Sequence, residues 1–230
     1  MFFKVSEMKK IVFAIIAASL FAVVIAAAGC SKSTDYLNYV SQMRSACFFG
    51  ESKSYRVTAY SEKREYPLKA DGLVGETGKF VILKITFKDS EKMLLNDVYA
   101  DFSLEKEYKT SLGYNAETES YVVSVAVENL PENDFTVTVT ADGNSENVPL
   151  TTFKNDAVSP EKALKSAVTL KREFIDKLEA SNADYEIMVR LIVEGEEVFY
   201  YVGIVESEYT TALLLDSRGA LLAEKKLKNQ

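Results

Sequence analysis

The sequence predicts a mainly β, α+β fold. It consists of a short N-terminal helix and an antiparallel β-sandwich, then a helix packed on a C-terminal antiparallel sheet of three to four strands. Two observations support this prediction. From residue 54 to 155, apolar and polar residues alternate in several short runs, which is the period of half-buried strands. From residue 156 onward, one helical stripe precedes further alternating runs, which is the order of an α+β unit.

The first 29 residues have the pattern of a secretory signal peptide. Lys9 and Lys10 precede an uncharged apolar run from 11 to 28, and small residues follow. An uncleaved membrane helix is the alternative, because this run is close to the ~20 apolar residues that span a bilayer. The start is also open, since Met8 directly before the two lysines is a more typical beginning of a signal peptide than Met1, which would place Glu7 in the basic region. Either reading leaves the lysines cytoplasmic and the rest of the chain extracytoplasmic.

The leader ends in Ala27-Ala28-Gly29-Cys30, which resembles the lipobox of bacterial lipoprotein precursors. That class usually has leucine where this chain has Ala27. The resemblance implies that the Cys30 thiol receives a diacylglyceryl group and that the leader is removed just before it. Two acyl chains would hold the protein at the cell membrane, or at the outer membrane if the cell has one. The tether of residues 31–34 would keep the body close to the bilayer.

Charge and composition exclude several classes of function. The net charge is −7, and the leader contributes +2, so −9 is left for residues 30–230. An acidic surface repels nucleic-acid backbones, so we expect no nucleic-acid partner. Histidine is absent, which removes the usual zinc sites and the Ser-His and Cys-His nucleophiles. We therefore expect no metal and no cofactor.

Residues 30–53 are predicted to hold the tether and a short helix. Asp35 can cap a helix from about Tyr36 to Phe48, because apolar residues recur there at helical spacing. Cys47 falls on the same stripe. It is predicted to be a buried core residue, since free cysteine is often buried and no histidine can activate it.

Residues 54–155 are predicted to form the β-sandwich domain. Turn residues such as Asp71-Gly72 and Asp142-Gly143 separate short alternating runs. The runs centre on residues 55–60, 80–87, 98–102, 121–127, 135–141 and 148–150. This outline resembles immunoglobulin-like and fibronectin-like modules, although the chain has no tryptophan for the Cys…Trp…Cys core of true immunoglobulin domains.

Residues 156–230 are predicted to form the α+β domain. Ser159, Pro160 and Glu161 are typical of a helix start, and the apolar stripe continues to about Ala180. Alternating runs at 185–193, 198–205, 209–215 and 220–225 follow. They predict an antiparallel meander on which the helix packs.

A candidate ligand or partner surface lies on this meander. Period two places Met188, Ile192, Phe199 and Tyr201 on the face opposite the helix. An exposed apolar and aromatic surface often marks a binding site. The alternative is that this face packs on the sandwich domain, as linked domains commonly share an interface.

The sequence patterns that could indicate a catalytic site are weak. Glu194, Glu196 and Glu197 cluster in a turn, where they are more simply solvated charges than half of a glycosidase pair. The Ser159–Lys162 spacing of a Ser-Lys pair opens a helix, where capping explains it. The sequence therefore favours a non-catalytic binding or protein-interaction module with a protein or cell-envelope partner. An extracytoplasmic enzyme using carboxylates or a Ser-Lys pair is the alternative, followed by a transporter-associated solute-binding protein.

Overall fold

The computed structural model describes residues 34–69, 71–89, 97–153 and 156–229. The predicted signal peptide, Cys30 and most of the tether lie outside the described residues. The described chain is mainly β, as predicted, and has two α-helices. Its strands are β1 Val40–Glu51, β2 Tyr55–Glu65, β3 Thr77–Phe87, β4 Val98–Ser103, β5 Glu107–Ser111, β6 Gly113–Asn115, β7 Ser120–Val127, β8 Phe135–Ala141, β9 Asn144–Thr152, β10 Glu186–Glu194, β11 Glu197–Val205, β12 Tyr209–Asp216 and β13 Leu221–Lys228.

The main sheet has the strand order β13-β12-β11-β10-β1-β2-β3-β7-β6. A second layer, β5-β4-β8-β9, joins it where β9 pairs with β1. Gly50 lies at this junction, where an added Cβ would be 2.2 Å from the carbonyl oxygen of Pro149. All neighbouring strands are antiparallel except β1 and β10, which are parallel. The sheet therefore continues from the predicted sandwich region into the predicted α+β region through β1.

Two apolar cores lie on this sheet. The first lies between the two layers of the sandwich and contains Val57, Leu83, Val139 and Leu150, all fully buried. The second lies under two helices, α1 Pro160–Leu170 and α2 Arg172–Ala180, which cover one face of β10, β11 and β12. Ile175 of α2 belongs to this core and is fully buried. The helix-covered meander that the sequence predicts is present.

The helix predicted from Tyr36 to Phe48 is wrong beyond its first turn. A 3-10 turn covers Tyr36–Tyr39, and strand β1 begins at Val40. The physical reason lies in two neighbouring residues. Phe48 belongs to the sandwich core and Cys47 to the helix-covered core, and both are buried. A strand turns successive side chains to opposite faces, so β1 can serve both cores. A helix could not do this.

The second predicted helix is divided. The Ser159 hydroxyl caps α1 by accepting the backbone N–H of Lys162 at 3.4 Å, with Pro160 at the first helical position. Lys171, at φ −111° and ψ 21°, then interrupts the helix between α1 and α2. Each segment still buries its apolar stripe on the same sheet.

Candidate ligand-binding face of the C-terminal sheet

The four residues predicted to form a ligand or partner surface lie together on β10 and β11. Ile192 lies directly opposite Phe199 in the strand register, and Met188 lies four pairs away, opposite Gly203. Tyr201 lies between them, opposite Arg190. We call the face that carries these residues the second face, because the helices cover the other one.

The two faces differ in burial. The helix-covered face contributes Ile187, Val189 and Tyr200 to the core beneath the helices. On the second face Met188 is buried, whereas Ile192, Phe199 and Tyr201 are half-buried. Neither core, as the described residues define them, includes any of these four. The second face therefore places aromatic and aliphatic side chains beside one another without making them part of an apolar core.

Tyr201 has a defined position on this face. Its ring lies over Gly203, where an added Cβ would be 2.9 Å from the tyrosine hydroxyl oxygen. The guanidinium carbon of Arg190 lies 5.5 Å from the centre of the same ring. A glycine two residues along the strand thus makes room for an aromatic ring against which an arginine packs.

Arg190 is one of three arginines that meet on adjacent strands. Arg44 of β1 is paired with Arg190 of β10 on one side and with Glu62 of β2 on the other. Arg64 follows two residues later on β2. We call these three arginines, together with Glu62, the arginine cluster.

The contacts within the arginine cluster are unequal. Nη2 of Arg44 lies 3.1 Å from Oε2 of Glu62, and Nε of Arg64 lies 3.7 Å from Oε1 of the same carboxylate. Nε of Arg190 donates to the neutral Oε1 of Gln42 at 2.7 Å, and its Nη2 contacts the Met188 sulfur at 3.6 Å. Two guanidiniums thus share one buried carboxylate, whereas the third donates to the neutral groups of Gln42 and Met188.

Each of the three guanidiniums lies over an aromatic ring. The guanidinium carbon of Arg44 lies 4.4 Å from the centre of the Tyr60 ring, and that of Arg64 lies 4.5 Å from the centre of the Phe80 ring. Arg44 and Arg64 keep 18% and 21% of their side-chain surface exposed. Stacking fixes the plane of a guanidinium and leaves its edges to donate. Nε of Arg44 donates to Glu62 and Nη2 of Arg64 donates to the Ser124 hydroxyl, so the remaining N–H groups of these arginines are the ones that can reach a ligand.

The positive charge of Arg190 is electrostatically unfavourable in this arrangement. Burial lowers the pKa of Arg190 from its usual value, and the neighbouring charge of Arg44 lowers it further. Arg64 acts in the same direction, while the Glu62 carboxylate raises the pKa. The positive charge of Arg190 is therefore held against both desolvation and like charges.

A pair of buried carboxylates lies elsewhere on the same sheet. Glu65 is 2% exposed, and its carboxylate accepts the backbone N–H groups of Gly75 at 2.9 Å and Lys69 at 3.1 Å. Glu186 is fully buried, and burial raises its pKa, as do the nearby Glu65 and Asp71 carboxylates. Among the described residues, no three Cys, Asp or Glu side chains are grouped as metal ligands.

The weaker sequence candidates have structural roles or exposed positions. Glu194, Glu196 and Glu197 are exposed around the turn between β10 and β11. Ser159 and Lys162 form the cap of α1. Cys47 is 2% exposed, as predicted, and burial raises the pKa of its thiol to about 12.

The sequence analysis missed the arginine cluster, although part of it left a signal. Arg190 is the one charged residue inside the apolar run Ile187–Val193, and a charge in mid-strand indicates a function for the face it occupies. Arg44 lay in the segment predicted as a helix. Glu62 and Arg64 belong to the charged run of residues 62–65, in which nothing in the sequence distinguishes them from solvated charges.

Comparison of the chain with protein-family models, curated proteins and solved structures finds no match. In the part of the chain that the structure describes, neither helix has the length and apolar character needed to cross a membrane.

Proposed function

We propose that this chain is an extracytoplasmic lipoprotein, anchored in the membrane through lipid on Cys30, and that its body is a non-catalytic binding module. Its ligand or partner surface is the second face, which includes Met188, Ile192, Phe199 and Tyr201. The observation that supports this proposal is the juxtaposition on one rigid sheet of half-buried aromatic residues and three arginines with a single carboxylate between them.

Several features make this face suitable for binding. A sheet holds side chains in fixed register, so little order is lost when a ligand arrives. Half-buried aromatic and arginine residues are the types that dominate binding surfaces. The carboxylates of Glu194, Glu196 and Glu197 are exposed around a turn, and the Ser159 hydroxyl of the Ser-Lys pair is engaged in capping α1. We therefore favour binding over catalysis.

The anchor is tested with Cys30→Ala and with Cys47→Ala as the matched control. We expect Cys30→Ala to lose acyl labelling and to leave the membrane fraction, because the thioether is the attachment. The buried Cys47 has no such role, so its variant should retain both the label and the membrane location. Unchanged membrane retention and labelling of Cys30→Ala would exclude lipid anchoring at this residue.

The binding surface is tested by photocrosslinking in intact cells. A photoreactive phenylalanine analogue at Phe199 should give a defined crosslinked product. The same analogue at Tyr99, which is 38% exposed on the sandwich strand β4, is the control and should give none. Equal crosslinking from the two positions, or none from Phe199, would contradict a binding role for the second face.

A further inference from the structure

The arginine cluster has more positive than negative charge. Three guanidiniums and one carboxylate leave a local charge of +2, in a chain whose mature part has −9. Like charges on directly paired strand positions are unfavourable, and Arg44 and Arg190 occupy such positions. A fold that needed only internal stability would be served better by neutral side chains here.

The geometry of the cluster is that of a hydrogen-bond donor site for an anion. Its three arginines lie on the adjacent strands β2, β1 and β10, and neighbouring strands are about 4.8 Å apart. The guanidiniums are stacked on Tyr60, Phe80 and Tyr201, which leaves N–H edges to donate. Planar guanidinium edges match the oxygens of phosphate and carboxylate groups.

The charge selects between these two groups. A carboxylate has one negative charge and would leave the cluster positive. A phosphate monoester has a charge of about −1.5 to −2 at neutral pH and three terminal oxygens. It would neutralise the excess of +2 and offer one oxygen to each guanidinium.

We propose that the arginine cluster is a binding site for a phosphate monoester group, with Arg190 as the residue that makes the decisive contact. This inference rests on the proposed binding function and names the ligand chemistry of the same face. Arg190 is singled out because its hydrogen-bond acceptors, Gln42 and Met188, are neutral and can be exchanged for an anion. Tyr201, beside it, would cover the phosphate and contact the group that it esterifies.

The test uses the full chain in neutral detergent and measures thermal unfolding and ligand affinity at constant ionic strength. The probe is methyl phosphate, and dimethyl phosphate is the matched probe with one charge. We expect saturable stabilisation by methyl phosphate and at least about tenfold weaker binding of dimethyl phosphate. Arg190→Gln should weaken methyl phosphate binding by at least about tenfold, which corresponds to one lost charge-assisted contact.

Two variants separate binding from folding. Arg56→Gln removes an arginine of the same strand β2 that lies about 26 Å along the strand from Arg64 and pairs with Glu51. It should bind methyl phosphate as the wild type does. Arg190→Gln without ligand should unfold at a temperature no lower than the wild type, because an unfavourable charge is removed. A structural role for Arg190 would instead lower the unfolding temperature and leave the phosphate effect intact.

The source of the phosphate is distinguished with short-chain phosphatidic acid in the same micelles. If the phosphatidic acid binds more tightly than methyl phosphate and Arg190→Gln weakens both, the group is a lipid headgroup. Equal affinity indicates a soluble phosphorylated ligand. Equal responses to methyl and dimethyl phosphate, or no effect of Arg190→Gln, overturn the phosphate inference. If crosslinking from Phe199 persists in that case, the binding function stands with a different ligand, whereas loss of both signals removes both proposals.

Discussion

The two faces of the β10–β11 strand pair differ in chemistry although their residues alternate along the same strands. On the helix-covered face Ile187, Val189 and Tyr200 belong to a continuous apolar core. On the second face Arg190 and Tyr201 are half-buried, and Arg190 belongs to the same arginine cluster as the buried Glu62 carboxylate. The helix-covered face therefore has the composition of an apolar core that stabilises the fold, and the second face has the composition of a binding surface. Variants on the two sides should therefore affect different measurements.

The largest difference that we expect is in the reactivity of Cys47 on the helix-covered side. Burial that raises the thiol pKa to about 12 leaves almost no thiolate at pH 8. We expect its alkylation in native Cys30→Ala protein, where it is the only thiol, to be about a thousand-fold slower than after unfolding in urea. Comparable rates before and after unfolding would contradict a closed core at this position.

A pair of isoleucine truncations compares the faces directly. Ile187→Ala empties space in a fully buried position, and we expect the free energy of unfolding to fall by about 4 kcal/mol. Ile192→Ala truncates a half-buried side chain on the second face, and we expect a loss of about 1 kcal/mol. Urea denaturation measures both. Similar losses would show that the second face is part of a core.

The carboxylate of the arginine cluster provides the next test. Glu62→Gln leaves three guanidiniums without a counter-charge, and we expect the free energy of unfolding to fall by about 3 kcal/mol. Glu51→Gln is the control. Glu51 pairs with Arg56 and Lys88 at the surface, where solvent screens the charges, so its loss should change the free energy of unfolding far less. Equal effects would show that the cluster is no more demanding than a surface ion pair.

The smallest effect is the pH dependence contributed by Glu186. Because burial raises its pKa, the folded state holds this proton more tightly than the unfolded state does. The group therefore favours folding most below its unfolded pKa, about 4.3, and its contribution falls as pH rises through the raised pKa. We expect Glu186→Gln to lessen this fall and to be more stable than wild type at pH 7.

Equilibrium unfolding at pH 4 and at pH 7 measures this change. Glu208→Gln, at an exposed position, is the control and should follow the wild-type profile. A Glu186→Gln variant that keeps the full wild-type pH dependence would assign the effect to other groups.

The sequence predicts most of the fold because most strands alternate cleanly. Met188, Ile192, Phe199 and Tyr201 fall on one face by period two alone, and the structure places them there. The segment Val40–Glu51 could not be read in this way, because it has apolar residues on both sides and a register shift between Arg44 and Ala46. Its spacing imitates a helix, while its role between two cores depends on contacts far away in the sequence.

The arginine cluster was hidden for the same reason. Arg44, Glu62 and Arg190 come from strands that are distant along the chain, and only the register brings them together. Local patterns show that a residue is charged, but they do not show which charges become neighbours. The pairing of distant strands determines which charges become neighbours. The parallel pairing of β1 with β10 cannot be predicted from any local sequence pattern.

That parallel pairing also limits how the chain can be divided. A cut between β9 and α1 would separate β10 from β1 and leave the amide and carbonyl groups of β10 unpaired along an open edge. The C-terminal fragment would then tend to self-associate, even though it contains a complete meander and both helices. When the two fragments are mixed, they should associate again by pairing β10 with β1. Cutting the chain between β9 and α1 would therefore give two fragments whose reassociation reports on folding.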